Sequence, residues 1–508
     1  MKRIILGITI LLFVTQNTNA QCWQKIASGG SHTLAIKNNG TLWAWGNNSH
    51  GALGDGSFTN RSTPVQIGTD ANWAVVSANE EANATPKSNF SLAIKTDGTL
   101  WAWGNNNSSQ LGISTSGNYN TPVQVGTDND WLTVSAGNRY SLGIKTDGTL
   151  WAWGTNPAGQ LGDGTNINKN SPVQVGTAND WVEIKAFVSH SLALKSNGTL
   201  WAWGGNGSGQ LGDGTTIGKN VPVQIGSDTD WSKLGIGQLH SFAIKTNGTL
   251  WAWGQNGGKL GDGTTVNRTS PVAIGTDTNW DKVYGGINSS VALKTDGTIW
   301  SWGNNSYGEL GTGNTTPIYS PTQIGNSNWL DINYTYHHVL AVKTDGTLWA
   351  WGYNNSSRLG DGTTINRNIP TSISNENNWI KVSTGGSYSL ALKSNNSLHV
   401  WGIANDGMLG NGGGIDITVP TALGTCTLAN ENFIKTQITI YPNPTKNTLN
   451  ITTTIPLQKT IIYNLLGAKV YEQAFNDSVD VSSLSSGVYI VKFYGEDNVV
   501  LFEKIVKE

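Results

Sequence analysis

Cysteine, methionine and charged side chains are scarce in this chain of 508 residues. It contains two cysteines and two methionines, and Asp, Glu, Lys and Arg together make up 13% of it. Paired-cysteine metal signatures are therefore missing. The formal net charge is −2. Because basic residues are not in excess, the sequence gives no reason to expect nucleic acid or an anionic membrane as a partner.

Long apolar runs are also missing, with one exception at the N-terminus. Two basic residues are followed by the apolar segment 4–14, which is too short to span a bilayer comfortably, and by a polar stretch that ends at Ala20. This order predicts a signal peptide over residues 1–20. The alternative is a lipoprotein signal anchored at Cys22, but Gln21 stands where a small residue is wanted. We expect the mature chain to be soluble or surface-attached.

Glycine and tryptophan are abundant instead, with 64 and 23 residues. The tryptophans form two series that repeat about every 50 residues. The second tryptophan of a W-A-W-G tetrapeptide, or of a close variant, recurs at Trp45, Trp103, Trp153, Trp203, Trp253, Trp302, Trp351 and Trp401. An earlier series precedes it at Trp23, Trp73, Trp131, Trp181, Trp231, Trp280, Trp329 and Trp379. Eight tandem repeats follow from this spacing, and the second carries an insertion of 8 residues.

Each repeat has the same internal order, which the fourth repeat, 181–226, illustrates. Two short runs, WVEIKA and HSLALK, precede a turn at Asn197 and Gly198 and a third run, TLWAWG. Asn-Gly or Asp-Gly between alternating runs is a strong hairpin signal. A Gly-rich loop, GQLGDGT, then leads to PVQIG, a fourth strand that begins with proline.

Four short antiparallel strands in about 50 residues predict one blade of a propeller. We therefore predict an all-β fold with an eight-bladed β-propeller over residues 21–428. A seven-bladed ring with extra strands is the alternative, and the hairpins argue against a solenoid. The two tryptophans of W-A-W lie on one face of their strand, so we expect them to pack between blades. Carbohydrate platforms are the other interpretation of these tryptophans.

The repeat motifs resemble a known family. They are GSHTLAI at 30–36, WGN at 45–47 and QLGDGT at 160–165, with copies from Trp23 to about Gly424. This pattern of motifs resembles the regulator of chromosome condensation repeat family, whose members form β-propellers, usually of seven blades. The family name evokes guanine nucleotide exchange. Export would place this chain away from any small GTPase, so we do not expect that activity.

The two cysteines flank the seam of the predicted ring. Cys22 precedes the first tryptophan of the first repeat, and Cys426 lies close to the place where a ninth repeat would begin. No strand is left over to be exchanged across the seam. We therefore predict a disulfide between Cys22 and Cys426, which an exported protein can form. Two unpaired thiols are the alternative.

The pattern changes after the repeats. Residues 429–437 read as a polar linker, and residues 438–508 contain six or seven short strand-like runs without tryptophan, which predicts a small β-sandwich. YPNP at 441–444, SGVYIV at 486–491 and KIVK at 504–507 make this module resemble the C-terminal sorting domain of the type IX secretion system of Bacteroidetes.

The resemblance of residues 438–508 to a sorting domain implies a destination. Such a domain engages the type IX secretion machinery, and the protein is then released into the medium or attached to the outer-membrane surface. An unrelated accessory sandwich is the alternative interpretation.

No catalytic constellation stands out in the sequence. His32, His190, His240 and His338 share one repeat position, which other repeats fill with aromatic residues such as Phe90, Tyr140 and Tyr388. Such a mixture indicates packing rather than proton transfer. The aspartates of the GDGT motifs could suggest calcium, but turns are favoured because no second carboxylate lies nearby in the sequence. We predict a non-enzymatic protein without metal or cofactor.

The loop before the second strand varies most between repeats. By repeat symmetry these loops share one face of the propeller, and we predict that this face binds the partner. Its candidate residues are Glu80, Glu81, Lys87, Arg139, Tyr140, Phe187, Tyr334 and Tyr336. The sequence favours a monomeric binding protein that acts on an extracellular protein or glycan. An inhibitor of a secreted enzyme is the second hypothesis, and a polysaccharide lyase or hydrolase is a weaker third.

Overall fold

The structure is a computed structural model that describes residues 22–79, 89–335, 337–424, 438–453, 457–464, 469–495 and 500–508. The predicted signal peptide and the predicted linker lie outside these ranges. The chain divides into two compact units, Gln21–Cys426 and a second that includes Thr427–Glu508. No helix in the described ranges is long and apolar enough to cross a membrane.

The first unit contains, within the described residues, eight four-stranded antiparallel sheets, each built from four consecutive strands. We number the sheets 1 to 8 along the chain. The first strands are Trp23–Ser28, Trp73–Ala78, Trp131–Ala136, Trp181–Ala186, Trp231–Ile236, Trp280–Gly285, Trp329–Thr335 and Trp379–Thr384. The second strands are His32–Lys37, Phe90–Lys95, Tyr140–Lys145, His190–Lys195, His240–Lys245, Ser289–Lys294, His338–Lys343 and Tyr388–Lys393.

The remaining strands complete each sheet. The third strands are Leu42–Gly46, Leu100–Gly104, Leu150–Gly154, Leu200–Gly204, Leu250–Gly254, Ile299–Gly303, Leu348–Gly352 and Leu398–Gly402. The fourth strands are Arg61–Gln66, Tyr119–Gln124, Lys169–Gln174, Lys219–Gln224, Arg268–Ala273, Ile318–Gln323, Arg367–Ser372 and Ile417–Ala422. A single 3-10 turn, Asn405–Gly407, is the helical element of the described chain.

The turn between the second and third strands shows how local sequence sets the hairpin. In sheet 3, Asp147 Oδ1 accepts hydrogen bonds from the amide and the hydroxyl of Thr149, at 2.9 and 2.7 Å. Gly148 follows with φ of +80°, and a Cβ there would lie 2.1 Å from the carbonyl oxygen of Asn179. Glycine is therefore required both by the backbone conformation and by the close approach of the segment at Asn179, which precedes the next sheet.

The order of strands within a sheet is also the radial order of the ring. First strands of neighbouring sheets contact one another, so they lie innermost and surround a central channel. Fourth strands lie outermost and carry exposed apolar side chains such as Val221 and Ile369. The loops between first and second strands and those between third and fourth strands emerge at the same end of the ring. We call this end the loop face.

Tryptophan packing joins each sheet to the next. Trp203, on the third strand of sheet 4, is fully buried in a cluster with Leu142 and Leu161 of sheet 3. Its indole N–H donates to the carbonyl oxygen of Gln160 at 2.8 Å. The equivalent tryptophans, Trp45, Trp103, Trp153, Trp253, Trp302, Trp351 and Trp401, are fully buried as well. The prediction of an all-β propeller is confirmed.

Sheet 8 contacts sheet 1, which closes the ring. The Tyr388 hydroxyl donates to the His32 carbonyl oxygen at 2.9 Å, and the amide of Trp23 donates to the Asn396 carbonyl oxygen at 3.2 Å. Each of the two sheets uses only strands of its own repeat. Cys22 is fully buried beside this seam. Its predicted partner Cys426 lies outside the described residues, so the disulfide stays a prediction.

The C-terminal unit consists of two antiparallel sheets. Ile438–Tyr441, Thr448–Thr453 and Ser478–Asp480 form one, and Lys469–Ala474, Leu457–Asn464, Gly487–Gly495 and Val500–Lys507 form the other, in that spatial order. Side chains of both sheets share one buried cluster, which includes Leu449, Val479, Val491 and Phe493. Two sheets around one core are the predicted β-sandwich.

Candidate functional site

The first strands of the sheets form the wall of the channel. The amides on the free edge of each first strand point away from their own sheet and cannot pair within it. Polar side chains of the neighbouring sheet satisfy several of them. The fifth residue of a first strand accepts a hydrogen bond from the amide of the sixth residue in the next sheet. The pairs are Ser77 with Ala136 at 3.2 Å, Ser135 with Ala186 at 3.1 Å, and Asn333 with Thr384 at 3.2 Å.

A cavity of about 630 Å³ occupies the part of the channel between sheets 2 and 7. Its wall combines charged residues with the aromatic side chains of Phe187 and Tyr284. Asn138 and Gln238, in loops between first and second strands, also line it. The cavity therefore opens toward the loop face, and its volume falls in the range of small-molecule sites.

Three lysines and two carboxylates line this cavity: Lys185, Lys233, Lys282, Glu183 and Asp281. Lys233 forms an ion pair with Asp281. Burial raises the pKa of Glu183 above its usual value, while the nearby Lys185 acts in the opposite direction. Each lysine has a carboxylate within 4 Å, since Lys282 lies 3.3 Å from Asp331 and Lys185 lies 3.9 Å from Glu183, so the wall carries charges of both signs.

The structure brings only part of the predicted binding residues to the loop face. Glu80, Glu81, Lys87 and Tyr336 lie outside the described residues. Arg139 is half-buried at the tip of its loop, with φ of +63°. Phe187 is half-buried and lines the cavity.

Tyr140 and Tyr334 are corrections to the predicted binding face. Tyr140 is fully buried, and its hydroxyl donates to the His190 carbonyl oxygen at 2.7 Å. Tyr334 is 3% exposed and its hydroxyl is hydrogen-bonded to Ser289. Tyr140 begins the buried second strand of sheet 3, and Tyr334 is the sixth residue of the first strand of sheet 7. Each ring lies under the loop of a neighbouring sheet, at Phe187 for Tyr140 and at Gly286 for Tyr334. Both tyrosines hold neighbouring sheets together. Their position beside a variable loop in the sequence had suggested that they are exposed, and this inference was wrong.

An aromatic cluster on the loop face was not anticipated from the sequence. The rings of Tyr307 and Tyr353 have their centroids 4.3 Å apart, and His337 lies 5.1 Å from Tyr307. The Arg358 guanidinium carbon sits 4.7 Å from the Tyr353 centroid, and burial lowers the pKa of Arg358 to about 10. Tyr307, Tyr353 and Arg358 lie in loops between third and fourth strands, and a comparison of those loops between repeats could have pointed to them.

The histidines at the shared repeat position are buried. The His190 ring nitrogen Nε2 lies 3.1 Å from the Ser241 hydroxyl, and burial lowers the pKa of His190 and of His32 to about 4. A ring without solvent access cannot reach a substrate, so these histidines serve the packing between sheets.

The aspartates of the GDGT motifs are occupied by their own turns. Asp163 Oδ1 accepts the amide of Thr165 at 3.0 Å, and its other oxygen lies 3.0 Å from the Lys169 ammonium. Burial is the largest single influence on the pKa of Asp163 and raises it. The hydrogen bonds and the nearby ammonium together outweigh burial, so the pKa is lowered. Each such carboxylate stabilises a loop on the loop face.

Two family descriptions match the chain. The RCC1-like domain matches residues 11–286 and 177–439, and the secretion system C-terminal sorting domain matches residues 439–508. Together they cover nearly the whole sequence. A propeller followed by this sorting domain is an exported protein that engages the type IX secretion machinery, destined for secretion or for attachment at the cell surface.

Curated relatives match over short stretches. The mitochondrial RCC1 domain-containing protein RUG3 of Arabidopsis thaliana is 36% identical over 89 residues, which are 18% of this chain and 19% of that protein. The probable E3 ubiquitin-protein ligase HERC3 of Homo sapiens is 30% identical over 111 residues, 22% of this chain and 10% of that protein. The chain thus spans a fifth or less of the length of these relatives.

Solved structures share the fold. Prp20p from Saccharomyces cerevisiae superposes with a TM-score of 0.53 at 21% identity, over 69% of this chain and 90% of that chain. Human WBSCR16 gives a TM-score of 0.53 at 22% identity, over 64% of this chain and 94% of that chain. At this identity the likeness concerns the fold alone.

Proposed function

We propose a function for this chain from two premises: it belongs to the RCC1-like domain family, and it ends in a secretion system C-terminal sorting domain. The protein is a non-enzymatic binding module that acts outside the cell as a monomer. Its loop face binds an extracellular protein or glycan. A signal peptide over residues 1–20 carries the chain across the inner membrane, and residues 438–508 direct it through the type IX machinery.

The single observation that carries this proposal is that the eight repeats differ mainly at the loop-face end of the channel. The buried tryptophans of seven sheets donate to the preceding sheet in the same way, and the GDGT loops repeat their contacts in the sheets that carry this motif, as their structural role requires. The differences gather at the mouth of the channel. Cavity residues such as Phe187 and Gln238, and the aromatic cluster of Tyr307, His337 and Tyr353, belong to that mouth. Binding residues are expected on loops that a rigid scaffold positions.

The aromatic cluster supports binding of a macromolecule at this face. Tyr307 is 36% exposed, and Arg358, which lies over the Tyr353 ring, donates to the carbonyl oxygen of Gly386 at 3.0 Å. Tyrosine and arginine dominate the energetics of many protein interfaces, and tyrosine also stacks on sugar rings. The activities of the relatives are not proposed for this chain, because HERC3 matches over 22% of it.

Export is tested by removing residues 438–508. We expect the truncated protein to remain in the periplasm of the producing bacterium, because the machinery no longer receives its signal. Immunoblots of periplasm, cell surface and medium provide the measurement. As a control, residues 438–508 fused to an unrelated periplasmic protein should send it out of the cell. Normal appearance of the truncated chain in the medium would refute the role of this domain.

Partner binding is tested with the secreted protein on a glycan array and in a pull-down from culture medium. A Tyr307→Ala variant should lose the captured partner. Val221→Ser is the matched control, because Val221 is 46% exposed on an outermost strand, away from the loop face. Capture that survives Tyr307→Ala but not Val221→Ser would place the binding surface on the outer rim and contradict the proposal.

A further inference from the structure

The side-chain acceptors that sheets 2, 3 and 7 supply on the channel wall are missing in two neighbouring sheets, 4 and 5. Where other sheets place Ser77, Ser135 or Asn333 to accept an amide of the next sheet, these two hold Lys185 and Gly235. A lysine ammonium can only donate, and glycine has no side chain. The wall therefore loses two acceptors in a row, on the side of the ring where the cavity lies.

Two backbone amides are left facing the cavity by this change. The amides of Ile236 and Gly285 occupy the positions that the serine and asparagine acceptors satisfy elsewhere, in the same pairing register with Ser241 and Ser290. No side chain within the described part of the chain accepts a hydrogen bond from either one. Both residues are half-buried and line the cavity.

Lys185 adds a positive charge to this part of the cavity wall, at the strand position from which Ser135 reaches an amide of the next sheet. Its ion-pair partner among the described residues is Glu183, at 3.9 Å, which is too long for a hydrogen bond. Glu183 already accepts the amide of Leu234. The neighbouring lysines are engaged more closely, Lys233 with Asp281 and Lys282 with Asp331 at 3.3 Å.

Donors without acceptors, next to an ammonium group, form a site for an anion. The cavity of about 630 Å³ is much larger than an inorganic ion. Phe187 and Tyr284 are aromatic residues of its wall, and Asn333 and Thr335 are polar ones. This combination fits a polyhydroxylated ring that bears a carboxylate.

We propose that the channel wall of sheets 4 to 6 binds a sugar acid, with its carboxylate held by the Lys185 ammonium and by the amides of Ile236 and Gly285. This site goes beyond the loop-face function, because it lies inside the ring and takes a small ligand whatever the loop face binds.

Sheet 1 shows that a missing acceptor alone does not make such a site. Ala27 stands at the fifth position of its first strand, so an acceptor is absent there too. The lysine of that strand, Lys25, donates to the carbonyl oxygen of Ala74 at 2.6 Å, and sheet 1 does not line the cavity. Unsatisfied amides, a cation without a close partner and a cavity coincide at sheets 4 to 6.

The test uses the full secreted protein, D-galacturonate as the probe and isothermal titration calorimetry. Lys185→Ser restores the acceptor found in sheets 2 and 3, so this variant should fold while losing both the charge and the open amide. We expect saturable binding to the unchanged protein and affinity about tenfold lower or worse for Lys185→Ser. Lys381→Ser is the matched control, since Lys381 is an exposed lysine on the first strand of sheet 8.

The outcomes separate the site from general electrostatics. Unchanged binding by Lys381→Ser and at least tenfold weaker binding of neutral D-galactose to the unchanged protein support the proposal. Equal losses for both lysine variants, equal binding of galactose, unchanged binding by Lys185→Ser or no saturable binding of galacturonate would overturn it. Circular dichroism of the variants verifies that the sheets are intact. Partner capture by the loop face should survive Lys185→Ser, so failure of one proposal is distinguishable from failure of the other.

Discussion

The tryptophans of the third strands offer a matched pair for measuring one hydrogen bond of the ring. Trp203 and Trp45 occupy the same repeat position and both are fully buried. Trp203 donates its indole N–H to Gln160 at 2.8 Å, and the six other equivalents likewise donate to a carbonyl oxygen of the preceding sheet. The Trp45 N–H, at the seam, has no acceptor within the ranges that the structure describes.

Replacement of either tryptophan by phenylalanine leaves a similar void, so the void term cancels between the two variants. Trp203→Phe also removes one of the two hydrogen bonds that the Gln160 carbonyl oxygen accepts, the other coming from the Ser191 hydroxyl at 2.9 Å, and this loss costs about 1 kcal/mol. Trp45→Phe removes a buried N–H that has no partner, and this offsets about 1–3 kcal/mol of the free energy that the void costs. We therefore expect Trp203→Phe to be less stable than Trp45→Phe by about 2–4 kcal/mol.

Urea unfolding followed by circular dichroism measures this difference without relying on tryptophan fluorescence, which the substitutions change. The midpoints of the two variants are compared at equal slope, since an altered slope would signal a change in the unfolded state. Trp253→Phe serves as a control, because Trp253 donates to Gln210 at 3.0 Å and should behave like Trp203. A Trp45→Phe variant as unstable as the other two would refute the reasoning.

Two further predictions concern the seam and the buried histidines. If Cys22 and Cys426 are joined, alkylation without reductant should add no mass to the exported protein, and two alkylated cysteines would disprove the bridge. The histidines His32 and His190, whose pKa burial lowers from 6.5 to about 4, should contribute stability above pH 6.5 that is lost as the pH falls toward 4. His32→Tyr, which copies Tyr140 and Tyr388, should make this fall shallower in thermal unfolding; an unchanged pH profile would contradict the assignment.

The strands of the propeller could be predicted because their signals are local. Every first strand begins at a tryptophan of the early series, from Trp23 to Trp379. Alternation along the strand and the Asp-Gly or Asn-Gly turns then set the hairpin, as Gly148 shows. These features need no knowledge of neighbouring sheets, and eight copies of each removed the ambiguity that a single short strand would have.

The binding surface could not be predicted equally well, because exposure in a ring depends on the neighbouring sheet. Tyr140 and Tyr334 stand beside variable loops in the sequence, yet a neighbouring sheet covers each ring, the next sheet for Tyr140 and the preceding sheet for Tyr334. Lys185 drew no attention because a lysine in a strand usually faces solvent. The signal that could have found it is an alignment of the fifth residues of the first strands, where a lysine and a glycine replace serine and asparagine.

Departures from the repeat have two kinds of cause, and they can be separated by position. The Trp45 N–H without an acceptor lies at the seam, where the chain ends meet and the local contacts differ for a topological reason. Sheets 4 to 6 lie far from the seam along the ring, and their chain connections are the same as those of sheets 2 and 3, which keep Ser77 and Ser135. Topology therefore gives no reason for Lys185 and Gly235 to stand there. The half-buried amides of Ile236 and Gly285 need an acceptor from water or from another molecule, and a bound carboxylate would supply it.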